Sequence, residues 1–581
     1  MRVRAARVGY AHGMRNVRLA CTGLTVLVAC ASKGDGQQPA VDGRDAGDDA
    51  RVVVEHESPC DPGPVGPGGP KLGPSTRVVT IQPKSAKPAS APPKNPVDHA
   101  AMLAYLAAGL GDWTTGPGDV GGVVDDLLPG AGPSATIAGR RSLAFLAHLS
   151  DFQLTDDESP TRLMSFDTPK TGGAARPQEG GVARVVSAMH RTLAALTAKR
   201  PFDFEIVTGD CADSAQGNEH TWLVALMDGQ RGLATDSGDK DDPVPGPDND
   251  VKDPFDPVPA PAPWYFVYGN HDVEVQGTSV PDEAVLQVAS ASHPENGTRD
   301  YRKAWAPVTR DEVPVDAKRA PIGAPEILAR MLASAASPGP VGHGFTAGQT
   351  STHYVVDPIA GVPLRVIELD TTDPAGGADG QVLRATVDSF LEPALIQSEN
   401  EGRLAIVASH QCTTDLHVTQ GLSTTPAPGA LTGAEVESIV ARHPNVVLWL
   451  CGHNHLHRVR ALKGPSVDAP GYYEVQTGAI ADWPAQTRAI ELVSVPAAAG
   501  APASLSILLT GIDYEAQSCL EARYRSWQLV DMTTGWGQDG RGTARDRNVE
   551  LRRAVPKGVA LAGVGKVAIE TETTLVGKVS P

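Results

Sequence analysis

The stretch Trp449-Leu-Cys-Gly-His-Asn-His-Leu-His457 ends an apolar run that starts at Val446. The run is rich in Val, Leu and Trp and too short for a helix, which predicts a buried β-strand. Gly452 ends this strand and permits a tight turn, so His453 and His455 can face one point beyond the strand end. Paired histidines on a loop are more often surface residues, so this motif needs support from the rest of the chain.

Other predicted strands also end in polar side chains. The apolar patterns predict strands at residues 142–149, 204–208, 264–268, 364–369 and 404–409. Helical spacing predicts intervening helices at residues 180–199, 383–397 and 434–443. The ends of parallel strands cluster at one edge of a sheet, so we expect their polar side chains to meet there. Together with the two histidines above, these side chains are Asp151, Gln153, Asp210, Asn270, His271 and His410.

The set of donors predicts a metal site. Two carboxylates, two amide oxygens and three imidazoles form a mixed oxygen and nitrogen set that suits Mn, Fe, Zn or similar dications. The donors are too many for one ion and suit two. Two metals bridged by a carboxylate can hold a phosphoryl group for attack.

The second half of the chain has a different pattern from the first. After His457, strands are predicted at residues 472–477, 489–495 and 505–509 without intervening helices. The first half alternates strands and helices, whereas the second is mostly β. An α/β (α+β) fold with two packed mixed β-sheets flanked by helices satisfies both halves.

The order of these motifs resembles that of the calcineurin-like metallophosphoesterases. That family shows D-x-H, then G-D-x-x-D, G-N-H-D, a lone His and G-H-x-H, and here the motifs fall within residues 141–513. The resemblance implies the four-layer αββα metallophosphoesterase fold. It also implies a hydrolase that cleaves phosphomonoesters or phosphodiesters with two metal ions and a metal-bound hydroxide.

The resemblance also assigns roles by motif position. Asp210 bridges the two ions, and His271, held by Asp272, donates a proton to the leaving oxygen or stabilises the transition state. The implied ligands of the first ion are Asp151, Gln153, Asp210 and His455. Those of the second are Asp210, Asn270, His410 and His453. The ions are divalent or of mixed valence, and their identity, Mn, Fe or Zn, stays open.

One position departs from the family pattern. The first motif ends in Gln153 instead of His. An amide oxygen can ligate but is a poorer donor than imidazole, so we expect a weakened first site that favours Mn or Fe over Zn. The alternatives are that Gln153 ligates nothing and one metal suffices, or that the protein is a degenerate member that binds a phosphorylated ligand without hydrolysis.

The N-terminus has the pattern of an export signal. Five arginines precede an apolar segment at residues 19–29 that is too short to span a bilayer. The sequence Leu27-Val28-Ala29-Cys30 resembles the lipobox of bacterial lipoproteins and predicts a lipid anchor on Cys30. An ordinary signal peptide is the alternative, and Met14 is a possible start. We therefore expect an exported, membrane-tethered protein of the bacterial cell envelope.

Composition divides the rest of the chain. We predict a signal peptide at residues 1–30, a disordered acidic Pro/Gly-rich tether at 31–96 and an N-terminal extension at 97–140. The metallophosphoesterase domain at 141–513 carries insertions at 229–263 and 273–363, and a C-terminal extension covers 514–581. The first insertion is predicted to be an exposed loop, whereas the second forms either a cap over the site or a peripheral loop bundle.

The net charge of −18 bears on the partner. Nucleic acid is normally bound by a surplus of Lys and Arg, so we expect a small phosphorylated substrate and no nucleic acid.

Several further residues near the motifs have open roles. Asp156, Asp157, Glu158, Arg162 and residues 176–179 either line the pocket or cap the helix that follows. We expect Asn218 and His220 at the surface, and His417 and His457 outside the ligand set. Cys211, Cys412 and Cys451 are expected to be buried small hydrophobic side chains, rather than metal ligands or a disulfide.

Overall fold

The structure is a computed structural model that describes residues 75–84, 98–166, 173, 175–198, 200–300, 307–334, 337–498, 501–535 and 537–567. The predicted signal peptide with Cys30 lies outside these ranges, as does most of the predicted tether. All described residues belong to one compact unit. None of the helices in these ranges has the length and apolar character needed to cross a bilayer.

The elements are numbered in chain order. The strands are β1 (Val79–Pro83), β2 (Trp113–Pro117), β3 (Val123–Leu127), β4 (Arg141–Leu149), β5 (Phe204–Val207), β6 (Trp264–Phe266), β7 (Thr298–Arg299), β8 (Val308–Thr309), β9 (Tyr354–Val356), β10 (Leu364–Glu368), β11 (Val382–Leu383), β12 (Leu404–Ala408), β13 (Ala430–Leu431), β14 (Val446–Cys451), β15 (Arg458–Lys463), β16 (Gly471–Gln476), β17 (Gln486–Val495), β18 (Ser504–Asp513), β19 (Val549–Ala554) and β20 (Lys566–Val567). The α-helices are α1 (His99–Ala107), α2 (Val182–Thr197), α3 (Gly217–Met227), α4 (Asn270–Val273), α5 (Glu283–Ala289), α6 (Ala324–Ala333), α7 (Arg384–Thr386), α8 (Glu392–Asn400), α9 (Gly433–Val440), α10 (Cys519–Thr534) and α11 (Ala544–Arg547). A π-helical turn at Val387–Leu391 joins α7 to α8.

Two mixed sheets form the centre of the molecule. The larger has the strand order β3-β19-β18-β17-β4-β5-β6, in which β4, β5 and β6 are parallel and β17 runs antiparallel to β4. The smaller has the order β15-β16-β14-β12-β10-β9, with four parallel central strands and an antiparallel strand at each edge. The parallel strands of each sheet carry the predicted polar ends.

The two sheets share one apolar core, and helices cover them. The core joins Leu146 of the larger sheet to Leu448 of the smaller one, and it includes Met189 of α2. A second cluster packs Trp449 of the smaller sheet against Val436 of α9. Burial of this apolar surface holds the layers together. The predicted arrangement of two packed mixed sheets flanked by helices is therefore confirmed.

Strands outside the predicted domain limits complete the larger sheet. β19, in the predicted C-terminal extension, pairs with β18, and β3, in the N-terminal extension, pairs with β19. Their sequences mix apolar and charged residues, which conceals them from a search for apolar runs. β15 was missed for the same reason, since it is a basic edge strand. The limits 141–513 thus leave out three strands of the domain's own sheet, since β20 also pairs with β4.

Part of the predicted tether is ordered. Residues 75–84 lie within the range predicted to be disordered, yet β1 pairs with β2. Ile81 is fully buried and packs with Trp113, Trp483 and Leu529. The prediction was wrong for this segment, because one buried isoleucine anchors it although the surrounding composition is poor in large apolar residues.

The first insertion is not simply an exposed loop. Asp250 and Lys252 of residues 229–263 are buried, and the ammonium group of Lys252 lies 3.0 Å from Asp157 Oδ1. In the second insertion, α6 packs its apolar face into the main core through Ile327 and Met331. A paired buried charge in one insertion and an apolar face in the other account for this burial.

Candidate metal centre

Five strands deliver the predicted ligands to one edge of the two sheets. In the larger sheet, Asp151, Asp210 and Asn270 follow β4, β5 and β6. In the smaller sheet, His410 follows β12 and His453 follows β14. The carboxyl ends of parallel strands are the usual place for a ligand site in such sheets.

The backbone at these strand ends is strained. Ten described non-glycine residues have positive φ angles, and half of them are predicted ligands. They are Asp151 (54°), Gln153 (49°), Asp210 (51°), His453 (74°) and His455 (53°). Left-handed conformations are uncommon for residues other than glycine, and such residues cluster at functional sites.

Two glycines allow the loops to approach one another. A Cβ atom on Gly452 would lie 1.9 Å from Ser150 Oγ and 2.7 Å from Asp151 Oδ2. A Cβ atom on Gly269 would lie 2.1 Å from Asp210 Oδ1. Only glycine fits at either position, so the tight turn predicted at Gly452 also brings the second sheet's histidines against the first sheet's carboxylate.

One half of the cluster contains Asp210, His410 and His453. Their donor atoms all lie within 4.8 Å of one another, close enough to share one ion. His410 Nε2 lies 3.0 Å from Asp210 Oδ2 and 3.3 Å from His453 Nδ1. His410 Nδ1 lies 2.6 Å from the carbonyl oxygen of Thr208. A hydrogen bond to that carbonyl fixes the ring with Nε2 toward the cluster, as is usual for a metal-ligating histidine.

The other half contains Asp151, Gln153 and His455. His455 Nε2 lies 3.3 Å from Asp151 Oδ1 and 3.4 Å from Gln153 Nε2. His455 Nδ1 lies 2.6 Å from Asp482 Oδ2, so Asp482 orients this ring from behind. The sequence contains the segment Asp482-Trp483-Pro484, but nothing in it indicated this contact.

Asn270 lies at the same edge with both ends of its amide engaged. Its Nδ2 donates to the carbonyl oxygen of Gly277 at 2.9 Å, and its Oδ1 accepts from Gln411 Nε2 at 3.0 Å. An amide oxygen has two lone pairs, so one remains available to a metal. Gln411 was not predicted, although it directly follows the predicted ligand His410.

The electrostatics of the cluster favour positive charge. Burial opposes protonation of His410, but the charge of Asp210 and its hydrogen bond outweigh it and raise the pKa to about 9. Burial is likewise overcome at His455, where Asp151 and Asp482 raise the pKa to about 10. The negative potential that favours a proton on these rings equally favours a metal cation.

The residues fit a pair of metal ions. Gln153 Oε1 is buried and accepts no hydrogen bond from the described residues. A buried amide oxygen without a partner is costly, and a cation would satisfy it. Neither Asp151 nor Asp210 forms an ion pair with a Lys or Arg of the described chain. The donor set would hold Asp151, Gln153 and His455 on one ion and Asn270, His410 and His453 on the other, with Asp210 between.

The expected support of His271 by Asp272 was wrong. The Asp272 carboxylate is fully buried and accepts hydrogen bonds from the backbone N–H groups of residues 210–212 and Gly269. Asp213 takes the expected role, since His271 Nδ1 lies 2.8 Å from its carbonyl oxygen and 3.6 Å from its Oδ1. Asp272 cannot reach the ring because its oxygens already fix the loop after β5.

His271 lies at the pocket with a raised pKa. Burial lowers its pKa, but Asp210 and the hydrogen bonds to Asp213 raise it to about 9. The Nδ1 contact leaves Nε2 toward a pocket of about 410 Å³ that His271 shares with Asp210, His453 and His455. The second insertion supplies part of the wall through residues 276–278, and Gln538 of the C-terminal extension supplies another part.

The predicted positions of Asn218, His220 and His457 had different outcomes. Asn218 and His220 are buried, contrary to the expected surface positions, because they face inward from α3. Asn218 Nδ2 donates to Asp156 Oδ2 at 2.6 Å, and His220 Nε2 lies 2.8 Å from the carbonyl oxygen of Asp272. His457 is buried beside Arg488, outside the ligand set as predicted.

The residues after the first motif were expected to line the pocket or to cap the next helix. Most of them form a buried network of ion pairs instead. Asp156 and Glu158 pair with Arg319 and Lys252, and Arg162 pairs with Glu179. Of the residues with open roles, Arg176 lines the pocket.

A disulfide joins two of the ligand-bearing strands. Cys412 and Cys451 are bonded, with their Cα atoms 5.3 Å apart. The expectation of reduced thiols was wrong here, because β12 and β14 are neighbours and place the two side chains within bonding distance. Cys211 is free and buried, as predicted.

Comparisons with known proteins give one weak structural likeness to report. No protein-family model matches the chain, and no curated protein matches it. Among solved structures it is similar to a dimetal phosphatase from Danio rerio, with a TM-score of 0.34 and 11% sequence identity over 64% of this chain and 100% of that chain. A likeness this distant assigns no residue and no substrate.

Proposed function

We propose that the protein is a metal-dependent phosphoesterase with a dinuclear centre, which hydrolyses small phosphomonoesters or phosphodiesters. The observation that carries the proposal is the convergence of two carboxylates and three imidazoles from four strand ends, beside the oxygen of Gln153, which accepts no hydrogen bond from the described residues. Mn, Fe and Zn are the candidate ions for such a donor set.

In this proposal, bound cations and the chain's own residues have separate roles. Cations bound here would supply Lewis-acid polarisation of the phosphoryl group. Asp213 fixes His271 so that Nε2 can deliver a proton to the leaving oxygen. Asp482 holds His455 in position.

Turnover of model substrates tests the proposal. Protein loaded with Mn²⁺, Fe²⁺ or Zn²⁺ should hydrolyse p-nitrophenyl phosphate or its bis ester. Asp210→Asn should lower kcat/KM by about 1,000-fold or more, since it removes the shared carboxylate. The exposed Asp388→Asn is the matched control and should retain full activity. Inactivity of the metal-loaded wild type on both substrates contradicts an esterase, and inactivity with retained phosphate binding supports the degenerate binder.

We also propose that the protein is exported and tethered through Cys30. The Cys412–Cys451 disulfide supports export, and Cys519 is disulfide-bonded as well, because such bonds persist in oxidising compartments. Mass analysis of the mature N-terminus checks the anchor. A lipidated Cys30 is expected, and an unmodified N-terminus elsewhere in the chain contradicts it.

A further inference from the structure

Arg176 is held rigidly at the wall of the pocket. Its side chain is largely buried, its Nε donates to Asp482 Oδ1 at 2.9 Å, and its Nη1 donates to the carbonyl oxygen of Gly173 at 3.0 Å. The same Asp482 contacts His455, so a single carboxylate separates the guanidinium from a ligand of the metal centre. Such a clamp fixes the direction of the remaining nitrogen.

The remaining nitrogen, Nη2, belongs to a side chain that lines the pocket. It donates to no acceptor within the described part of the chain, although Arg176 lines the same cavity as Asp210, His271 and His455. Arg176 is the only Lys or Arg among the described residues that line this cavity. A guanidinium with one edge anchored and one nitrogen unengaged is suited to bind an anion.

Phosphomonoesters and phosphodiesters differ in the number of terminal oxygens that Nη2 of Arg176 could bind. A monoester carries three terminal oxygens and close to two negative charges above a pH of about 6, whereas a diester carries two such oxygens and one charge. In a diester, the position of the third oxygen holds an ester substituent that accepts poorly from a guanidinium. A fixed donor at that position therefore distinguishes the two classes.

We propose that Arg176 binds a terminal oxygen of the substrate's phosphoryl group and makes the protein a phosphomonoesterase. This inference rests on the proposed function and specifies its substrate class. Arg176 acts here on the substrate, in addition to positioning His455 through Asp482.

Paired kinetics on two substrates test the assignment. Wild-type protein should prefer p-nitrophenyl phosphate over its bis ester. Arg176→Gln should lower kcat/KM for the monoester about 100-fold, the upper range for a hydrogen bond to a charged group, and for the bis ester only a few-fold. Arg176→Lys keeps the charge without the planar fork and should give an intermediate monoester-to-diester activity ratio. It serves as the test if the glutamine variant does not fold. The exposed Arg545→Gln is the matched control.

The readouts separate the possible failures. If Arg176 acts only by positioning His455, both substrates lose activity equally and the monoester-to-diester ratio stays unchanged, which overturns the inference. A wild type that prefers the diester also overturns it. If the wild type hydrolyses neither substrate, the proposed function fails. Calorimetric binding of inorganic phosphate then still tests Arg176, with at least about tenfold weaker binding expected for Arg176→Gln and equal binding overturning the inference.

Discussion

Two groups of buried carboxylates in this molecule differ in the side chains that contact them. The acidic network, defined here as Asp156, Asp157, Glu158 and Glu179 with their basic partners, forms its ion pairs with Lys and Arg side chains of the chain itself. Those partners are Arg162, Lys252, Arg299 and Arg319, at 2.7 to 3.7 Å from the carboxylate oxygens. In the metal centre, Asp151 and Asp210 contact only imidazoles and backbone N–H groups among the described residues.

The difference separates a structural role from a chemical one. A buried carboxylate that pairs with arginine has its charge compensated within the protein, so its role is structural. Carboxylates grouped with imidazoles, and with no Lys or Arg partner among the described residues, keep a negative potential directed at a pocket, which is what a cation requires. Asp151 and Asp156 are five residues apart in the chain, so burial alone does not distinguish them.

Loss of Arg319 should have the largest effect and tests the structural side of this comparison. Arg319 is fully buried, and its Nε donates to Asp156 Oδ2 at 2.9 Å. Arg319→Met should lower the free energy of unfolding by about 3–5 kcal/mol, because Asp156 stays buried with less compensation. Urea denaturation measures this loss. The exposed Arg545→Met should leave the unfolding midpoint unchanged, and an equally small effect for Arg319→Met would remove the distinction between the groups.

A methyl group at Gly452 should have the next largest effect, now on the metal centre. The added Cβ would collide with Ser150 Oγ and Asp151 Oδ2 and displace the histidine loop. We expect Gly452→Ala to lower kcat/KM about 100-fold, the cost of a displacement near 1 Å. Gly132 has open space around its Cβ position, so Gly132→Ala is the matched control. Full activity in Gly452→Ala would mean that the loop adjusts without cost.

Substitution of Gln153 should have the smallest effect and tests whether its oxygen ligates. Gln153→His supplies an imidazole in place of a neutral amide, and metal affinity should rise about tenfold, or roughly 1.4 kcal/mol. Gln153→Leu removes the oxygen and should weaken affinity by a similar factor. Titration against a chelator, with metal content by mass spectrometry, measures both variants. Unchanged metal affinity in both Gln153→His and Gln153→Leu would show that Gln153 is not a ligand.

Much of the architecture could be predicted because the apolar patterns are strong. The buried strands β4, β12 and β14 are continuous apolar runs, and the amphipathic α2 has regular spacing, so their positions follow from local sequence. The mixed strands β3, β15 and β19 were missed, since charged residues interrupt their apolar pattern, and in β19 these include the buried Glu550, Arg552 and Arg553.

The candidate site could be predicted only in its ligand types. Each predicted ligand directly follows a strand end, and that local signal is visible in the sequence. The residues that orient the ligands come from distant segments, such as Asp482 behind His455 and Asp213 beside His271. Their positions depend on how loops cross after folding, and no local pattern encodes that.

The sequence by itself determined the strands, the glycine turns and the kinds of donor atoms, because these depend on neighbours within a few residues. Only the tertiary structure decided which carboxylates face a pocket and which face an arginine. It also decided that Cys412 and Cys451 bond and that Arg176 lines the cavity while it contacts Asp482. Those outcomes depend on distances between strands and loops far apart in the chain, which are fixed when the two sheets pack.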